Sequence, residues 1–455
     1  MAKKKEKTLE EKLQEALVPE NQWPYMLPEN WCWTRLENIN KYRGKSVTPQ
    51  NNDDILFELY SVPSCENEYP EILTGSKIGS SKQLVEKKDV LLCKINPRIN
   101  RVWQVLGYTN NTLLASSEWI VVRNRILPPD YLVWYFKSPY FREVMLSNVS
   151  GVGGSLMRAK PKAVMGYPVP LAPLPEQKRI VHCIESLFAK LDEAKEKIQQ
   201  VLDGAEMRKA AILHKAFTGE LTKTWRKENG ISEDSREVKK LSDCGNWYGG
   251  GTPSKTHPEY WEKGNILWIT SKDMKSDYIE DSQQHINSYG VENSSAKYIE
   301  EHALICVMRS GILRHSFPVA VIKKPFTVNQ DLKVLVPNKM INIEYLLYIC
   351  KYKEQSILNS CMKNGTTVES INFDKLKNFS IMIPAEIEQI RIVNIIKKFL
   401  CRENDVLNKC NKFITSIDTM KKSILAKAFR GELGTNNPTE DSALNLLKEV
   451  LQDIS

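Results

Sequence analysis

The side chains with most to offer chemically are arginines, lysines and asparagines in short polar loops behind apolar strands. After Val90-Leu-Leu-Cys-Lys-Ile95 comes Asn96-Pro-Arg98-Ile-Asn100-Arg101, and the run beginning at Leu304 leads into Arg309-Ser310-Gly-Ile-Leu-Arg314. A guanidinium forks onto guanine O6 and N7 or onto phosphate, and an asparagine amide forks onto adenine, so such loops suit a nucleic-acid groove. Further candidates are Lys77, Ser80, Ser81 and Lys82, then Arg158 and Lys160, then Thr252, Ser254 and Lys255 behind Gly249-Gly-Gly251, then Thr270, Ser271 and Lys272, and finally Lys363. Each of these would equally furnish a solvated turn, and the three glycines are residues a turn needs anyway.

No residue set points to catalysis or to a metal. Asn96-Pro-Arg-Ile99 and Leu127-Pro-Pro-Asp130 both fail the Asn/Asp-Pro-Pro-Tyr/Phe pattern of an adenine methyltransferase, and no Gly-x-x-x-x-Gly-Lys-Ser/Thr phosphate loop occurs. Pro129-Asp130 with Glu193-Ala-Lys195 imitates a nuclease spacing, but the second element falls within a helix pattern. The six histidines make no ligand pair at helical spacing, and no two of the ten cysteines form a C-x-x-C. Cys93 and Cys306 sit inside apolar runs, where a reduced thiol behaves as a small hydrophobe. That use of cysteine implies a reducing compartment, and with no signal peptide or long apolar span the expected location is the cytoplasm of a bacterium or archaeon, away from membranes.

These loops need elements to position them, and 455 residues exceed what one core supports. A net charge of +9, spread along the chain, suits a polyanionic partner. Residues 176–221 align without a gap on 388–433: Glu176-Gln-Lys-Arg-Ile-Val181 matches Glu388-Gln-Ile-Arg-Ile-Val393, and Lys215-Ala-Phe-Thr-Gly-Glu-Leu221 matches Lys427-Ala-Phe-Arg-Gly-Glu-Leu433. The chain is an internal duplication.

Between these ends apolar residues recur at alternating threes and fours, the spacing of a coiled-coil seam. The first copy uses Ile180, Ile184, Leu187, Leu191, Ile198, Val201 and Ile212, interrupted by Arg208. The second uses Ile392, Ile396, Phe399, Val406, Phe413, Ile417 and Ile424, interrupted by Glu403. Each copy is expected to form one helix of about 40 residues, roughly 60 Å long at 1.5 Å per residue. Gly219 and Gly431 stand where a C-capping glycine belongs, and the shared register predicts antiparallel packing of the two helices.

Ahead of each helix lies a region in which short apolar runs alternate with Gly, Pro, Asn and Ser, as in strand-rich α+β domains. The two regions align weakly, Val90–Ile95 with Leu304–Arg309, Tyr131-Leu-Val-Trp with Tyr345-Leu-Leu-Tyr, and Gly153-Gly-Ser155 opposite Gly365-Thr-Thr367. Matches are apolar and differences polar, as expected of one fold recognising two different things. The fold class is therefore α+β, two globular recognition domains separated by two long antiparallel helices. The expected boundaries are 1–19 for an amphipathic N-terminal helix, 20–173 and 238–384 for the domains, 174–222 and 385–433 for the helices, 223–237 for a linker and 434–455 for a tail helix.

The motif Leu174-Pro-Glu-Gln-Lys-Arg-Ile-Val181, its helix closing on Lys215–Leu221 and the repetition of both resemble the specificity subunit of type I restriction-modification systems. Gly249–Ser254 with Glu259-Tyr-Trp261 and Trp268-Ile-Thr270 resembles a common opening of its recognition domain, whereas Ile383-Pro-Ala-Glu-Ile-Glu-Gln389 departs from the doubled proline. The resemblance implies a non-catalytic, double-stranded-DNA-binding chain that reads a bipartite, asymmetric site from the major groove. It further implies two methyltransferase and two restriction/translocase subunits as partners, with S-adenosylmethionine, ATP and Mg held by those partners and no cofactor on this chain. The competing reading is a coiled-coil scaffold or antirestriction-like protein that binds only proteins. Residues 8–17 and 439–454 each carry an apolar stripe that a lone short helix cannot bury, so docking onto a methyltransferase subunit is expected of them.

Overall fold

The computed structural model describes residues 7–150, 157–363 and 368–454; Gly153–Ser155 and Gly365–Thr367 lie outside them. The chain divides into two compact units, Met1–Ile198 with Lys412–Ser455, and Gln199–Asn411. Each unit thus holds one α+β domain, the start of the helix that follows it and the end of the helix that belongs to the other copy.

The two domains share a central set of strand pairings and differ in the strands added at the edges, Ser46–Val47 and Lys82–Leu84 in the first, Gly245–Gly249 and Tyr278–Ile279 in the second. In the first, strand Val90–Cys93 lies between Val102–Gln104 and Trp119–Val122, both antiparallel to it. In the second, Ala303–Val307 lies between Val319–Ile322 and Leu332–Pro337, again antiparallel. A second sheet repeats the likeness. Leu56–Tyr60 pairs antiparallel with Glu71–Thr74 and parallel with Thr112–Ala115, as Ile266–Ile269 pairs with Gln284–Ile286 and Phe326–Val328. A two-stranded antiparallel pair from the two ends of the domain closes each one, Cys32–Arg35 on Pro168–Leu171 and Glu237–Lys240 on Ser380–Ile383. The aligned runs are the buried strands and the helices Pro129–Phe136 and Ile343–Tyr352, which is why they alone kept their apolar character. Cys93 and Cys306 are buried in these strands, and burial raises both thiol pKa values.

The long helices begin in the same register, Leu174–Asp203 and Glu386–Ala428. The second runs unbroken for 43 residues. The first differs from expectation: it stops at Gly204 and resumes as Ala205–Phe217. At the break, Arg208 Nη2 donates to the carbonyl of Val201 at 2.7 Å, and a Cβ on Gly204 would lie 2.7 Å from Arg208 Nη1. Both helices end on left-handed glycines, Gly219 at φ 85° and Gly431 at φ 75°, where a side chain would be strained.

Within each unit the paired stretches run antiparallel. In the first, Glu176 meets Asn436 at 2.9 Å and Asp192 meets Lys421 at 2.6 Å. In the second, Arg208 meets Glu403 and Thr222 meets Glu388. Ile180, Ile184, Ile392, Ile396 and Ile417 are buried, and Leu187, Leu191, Ile198, Ile212, Phe399, Phe413 and Ile424 half-buried. Val201 and Val406 are exposed instead, with Leu202 and Leu407 half-buried beside them. A straight helix drifts about 20° per heptad against a strict seven-residue repeat, which turns the inward position onto the neighbouring leucine.

Equivalent anchors tie helix ends to domains. Phe429 packs edge-on to Tyr131 at 5.3 Å and 67°, and Phe217 edge-on to Tyr345 at 5.3 Å and 71°. Tyr131 donates to the carbonyl of Pro170 and Tyr345 to that of Met382. The terminal helices, Leu9–Ala16 and Ala443–Ile454, pack on each other, and Leu13, Ala16, Leu447 and Val450 join the core of the first domain; most of the apolar stripe from which docking was expected is thus buried within this chain, while Leu444 stays exposed.

Candidate nucleic-acid interface

In the first domain the loop after Val90–Cys93 is laced to a distant segment. Asn96 N donates to Met157 O at 2.7 Å, Ala159 N to Lys94 O at 2.8 Å, and Ile95 bridges Arg158. This lacing gathers Asn96, Arg98, Arg158 and Lys160 at one end of the sheet. Asn96 adopts φ 46°, a left-handed conformation that asparagine tolerates better than most residues. Arg142 Nη2 donates to the Arg98 carbonyl at 2.7 Å and steadies the loop. Arg98 and Lys160 are exposed and carry no ion pair among the described residues. Arg101 is committed to Glu66 at 3.0 Å and Arg158 to Glu118 at 3.2 Å, and Asn100 is half-buried beside them.

The second domain repeats the lacing with other side chains. Ile371 N donates to Met308 O at 2.8 Å, Ser310 N to Glu369 O at 3.1 Å and Lys363 N to Ser370 O at 2.9 Å. Arg309, Lys333 and Lys363 thereby line one open cleft of about 590 Å³, with Gln330 and Asp331 on its wall. Ser310 Oγ accepts from Ile312 N, and Arg314 is paired with Glu369, whose carboxyl that pairing holds below the usual range. Thr252 hydrogen-bonds Gln330 and so reaches the same place. Sequence reasoning missed Lys333 and Gln330. The available signal was a lysine alone among apolar residues in Leu332-Lys-Val-Leu-Val-Pro337.

Other candidates stand apart from these two places. Ser81 Oγ lies 3.2 Å from Thr48 Oγ1, and Lys82 donates to Ser80 at 2.6 and 2.9 Å, while Lys77 is exposed on the preceding turn. Thr270 N and Oγ1 both donate to Asp273 at 2.8 Å, which makes this a capped turn carrying Ser271 and Lys272. Ser254 Oγ lies 2.7 Å from Thr256 Oγ1, and Lys255 borders a shallow hollow with Trp261. Gly250 and Gly251 have no positive φ, so a turn does not require them. A Cβ at these positions would fall 2.0 Å from the Val328 carbonyl oxygen and 2.2 Å from Ser295 Oγ; close approach is the reason for glycine. Among the described residues no helix is long and apolar enough to cross a membrane.

Residues 233–415 match the family model of the type I restriction modification DNA specificity domain, and the chain therefore carries such a domain. The relatives are named accordingly. Over 176 residues the chain is 40% identical to the EcoR124I/EcoR124II specificity subunit of Escherichia coli, covering 39% of this chain and 44% of that one. It is 30% identical over 182 residues to the MjaIX specificity subunit of Methanocaldococcus jannaschii, covering 38% and 41%. The matched stretches thus span less than half the length of these two relatives. A more distant match, 23% over 351 residues, covers 71% of this chain and 73% of the EcoKI specificity subunit of Escherichia coli K12. The fold is that of the HsdS subunit from Thermoanaerobacter tengcongensis, with a TM-score of 0.70 at 20% identity over 90% of this chain and 99% of that one. The matched domain and the names of these relatives agree with the resemblance carried by the sequence, to the specificity subunits of type I restriction-modification systems.

Proposed function

We propose that this chain is the DNA-reading, non-catalytic subunit of a type I restriction-modification complex, each domain reading one half of a bipartite asymmetric site through the major groove. The observation that carries this reading is the combination of one central strand frame with two different polar loops, Asn96–Arg101 with Arg158–Lys160 and Arg309–Arg314 with Lys363. A shared frame holds the loops at equivalent places, and unlike side chains there, some on base edges and others on phosphates that fix the register, would select unlike half-sites. The long helices serve as spacer and as docking surface for two methyltransferase subunits, with two restriction/translocase subunits joining them. An unbroken helix of 43 residues spans about 64 Å. That reach is relevant because two heads contact one face of a duplex only near whole turns, about 34–36 Å each. Under this reading S-adenosylmethionine, ATP and Mg are handled by the partners, the chain is needed for both methylation and restriction, and it works in the cytoplasm.

The test is methylation mapping in a host given this chain with its methyltransferase subunit. The expected result is a single split motif with a fixed spacer. Methylation without any shared motif, or none that depends on this chain, would favour a protein-only scaffold.

A further inference from the structure

We propose that the cleft of Arg309, Lys333 and Lys363 is a phosphate clasp of the second domain, with no equivalent in the first. The inference rests on the DNA-reading function proposed above and adds the chemistry of one contact. Among the described residues none of the three cations has an ion-pair partner, and Asp331 is the one carboxylate on the lining. Lys333 rises from the strand Leu332–Pro337, opposite Cys306 in the ladder, and its ammonium lies 5.2 Å from the Phe373 ring. The ring and the approach of Gly249, whose absent Cβ would fall 2.7 Å from Lys333 Nζ, fix where that charge stands.

The shared strand pairings allow a comparison position by position. Arg309 bridges Ser370 as Ile95 bridges Arg158, and Lys333 opposes Cys306 as Ile120 opposes Leu92. Two cations of the second domain therefore replace two isoleucines of the first. Arg158, the cation the first domain does place there, is neutralised by Glu118. Arg98 and Lys160, which have no ion pair among the described residues, lie on the flanking loops instead. Three amino and guanidinium groups around an open cleft with a single carboxylate match a tetrahedral oxyanion, and on a duplex that is a backbone phosphate. This contact would position the second domain without reading a base.

The measurement is binding of the full chain, together with its methyltransferase subunit, to a fluorescein-labelled duplex of random sequence, about 30 base pairs long, between roughly 50 and 200 mM salt. The logarithm of the binding constant should fall linearly with that of salt. Lys363→Gln and Lys333→Gln should each make the slope shallower by about 0.9, and the pair by about 1.8. Lys240→Gln, which alters an exposed cation on the strand Glu237–Lys240 of the same domain, should leave it unchanged. Lys363 is exposed, so its variant remains informative if Lys333→Gln folds poorly. Unaltered slopes with wild-type binding intact would overturn the clasp alone, as would variants that weaken only assembly with the methyltransferase. Absence of salt-dependent binding by the wild type would overturn the DNA-reading function itself.

Discussion

Arg208 Nε donates to Glu403 Oε1 across 3.0 Å, joining the two residues that break the apolar seam of their respective helices. Glu403 is buried while the guanidinium of Arg208 is half-exposed, and Arg208 also holds the Val201 carbonyl freed at Gly204. The positions 212 residues away in the duplication are Met420 and Leu191, so the polar pair has an apolar counterpart in the other unit. Arg208→Met should leave a buried carboxylate without its partner and lower the melting temperature. Arg208→Met with Glu403→Leu should restore it, because a buried ion pair seldom outperforms an apolar pair of similar size. Calorimetry of the four proteins in this cycle checks the point, and a double variant less stable than either single one would contradict it.

Glu176 and Glu388 open the two repeats of the Glu-Gln motif, and both are fully buried. Glu176 accepts from Trp31 Nε1 at 2.7 Å and Asn436 Nδ2 at 2.9 Å; Glu388 accepts from Thr222 Oγ1 at 2.6 Å and Arg226 Nη1 at 2.8 Å. Each carboxylate thus holds the segment leaving the other copy's helix. Glu388→Ala should cost about 3 kcal/mol, since it removes one of the two carboxylates on the buried Arg226, which keeps Glu233, and takes from Arg236 the carboxylate 3.5 Å away. Glu176→Gln should cost less, because its partners are neutral donors. Urea unfolding followed by circular dichroism would separate the two, and equal losses would show that the charge on Arg226 is immaterial.

Glu58 lies fully buried on the strand Leu56–Tyr60 of the first domain's second sheet. Burial alone would raise its pKa, but bonds from Thr109 Oγ1, the Tyr60 hydroxyl and the amides of Tyr108 and Thr109 outweigh it and hold the carboxyl below its ordinary value. A depressed carboxylate contributes stability that is complete above the unfolded pKa, about 4.3 for glutamate, and is lost as pH falls through the lower folded value. The melting-temperature gap between wild type and Glu58→Gln should therefore be widest above about pH 5 and close on acidification. A gap that widens toward about pH 3 would contradict this assignment.

Removing residues 438–455 would uncover the core of the first domain. Leu446, Leu447, Val450 and Leu451 are buried there, each contributing roughly 1.5–3 kcal/mol. Truncation should lower the stability of this unit by several kcal/mol and weaken recognition of one half-site. Weakened subunit assembly with an undiminished melting temperature would restore the docking role that the apolar stripes suggest in sequence.

Arg98→Ala and Arg309→Ala should differ in kind. If the Arg98 guanidinium reads a base, its removal should relax discrimination at one position of the methylated motif by about 1–3 kcal/mol, while Arg309→Ala, which takes away a hold on phosphate, should weaken all sequences alike. Competition between single-base variants of the mapped site would show which occurs.

The duplication, the helix starts and the capping glycines were legible because they repeat in register and rest on local rules. The strand frame was legible where Val90–Ile95 and Leu304–Arg309 kept a common apolar pattern. The break at Gly204 was not, since one glycine in a strong helical pattern is ordinarily tolerated and only the reach of Arg208 marks the site. Nor was the burial of the terminal helices, whose covering depends on Leu9–Ala16 meeting Ala443–Ile454 across most of the chain. At the interface, the Asn96 and Arg309 loops could be found from residue type, but Lys333 enters the cleft through strand pairing that no local pattern announces.

The first unit is discontinuous and the second is not, and this sets an order during synthesis. Residues 199–411 are complete as soon as Asn411 leaves the ribosome, whereas the slot beside Tyr131 and Tyr135 stays unfilled until Phe429 emerges. At about 5–20 residues per second the earlier-made domain waits roughly ten to fifty seconds with its aromatic face open to water or to a chaperone. The N-terminal half is therefore the last to mature and the more exposed to aggregation in the newborn chain.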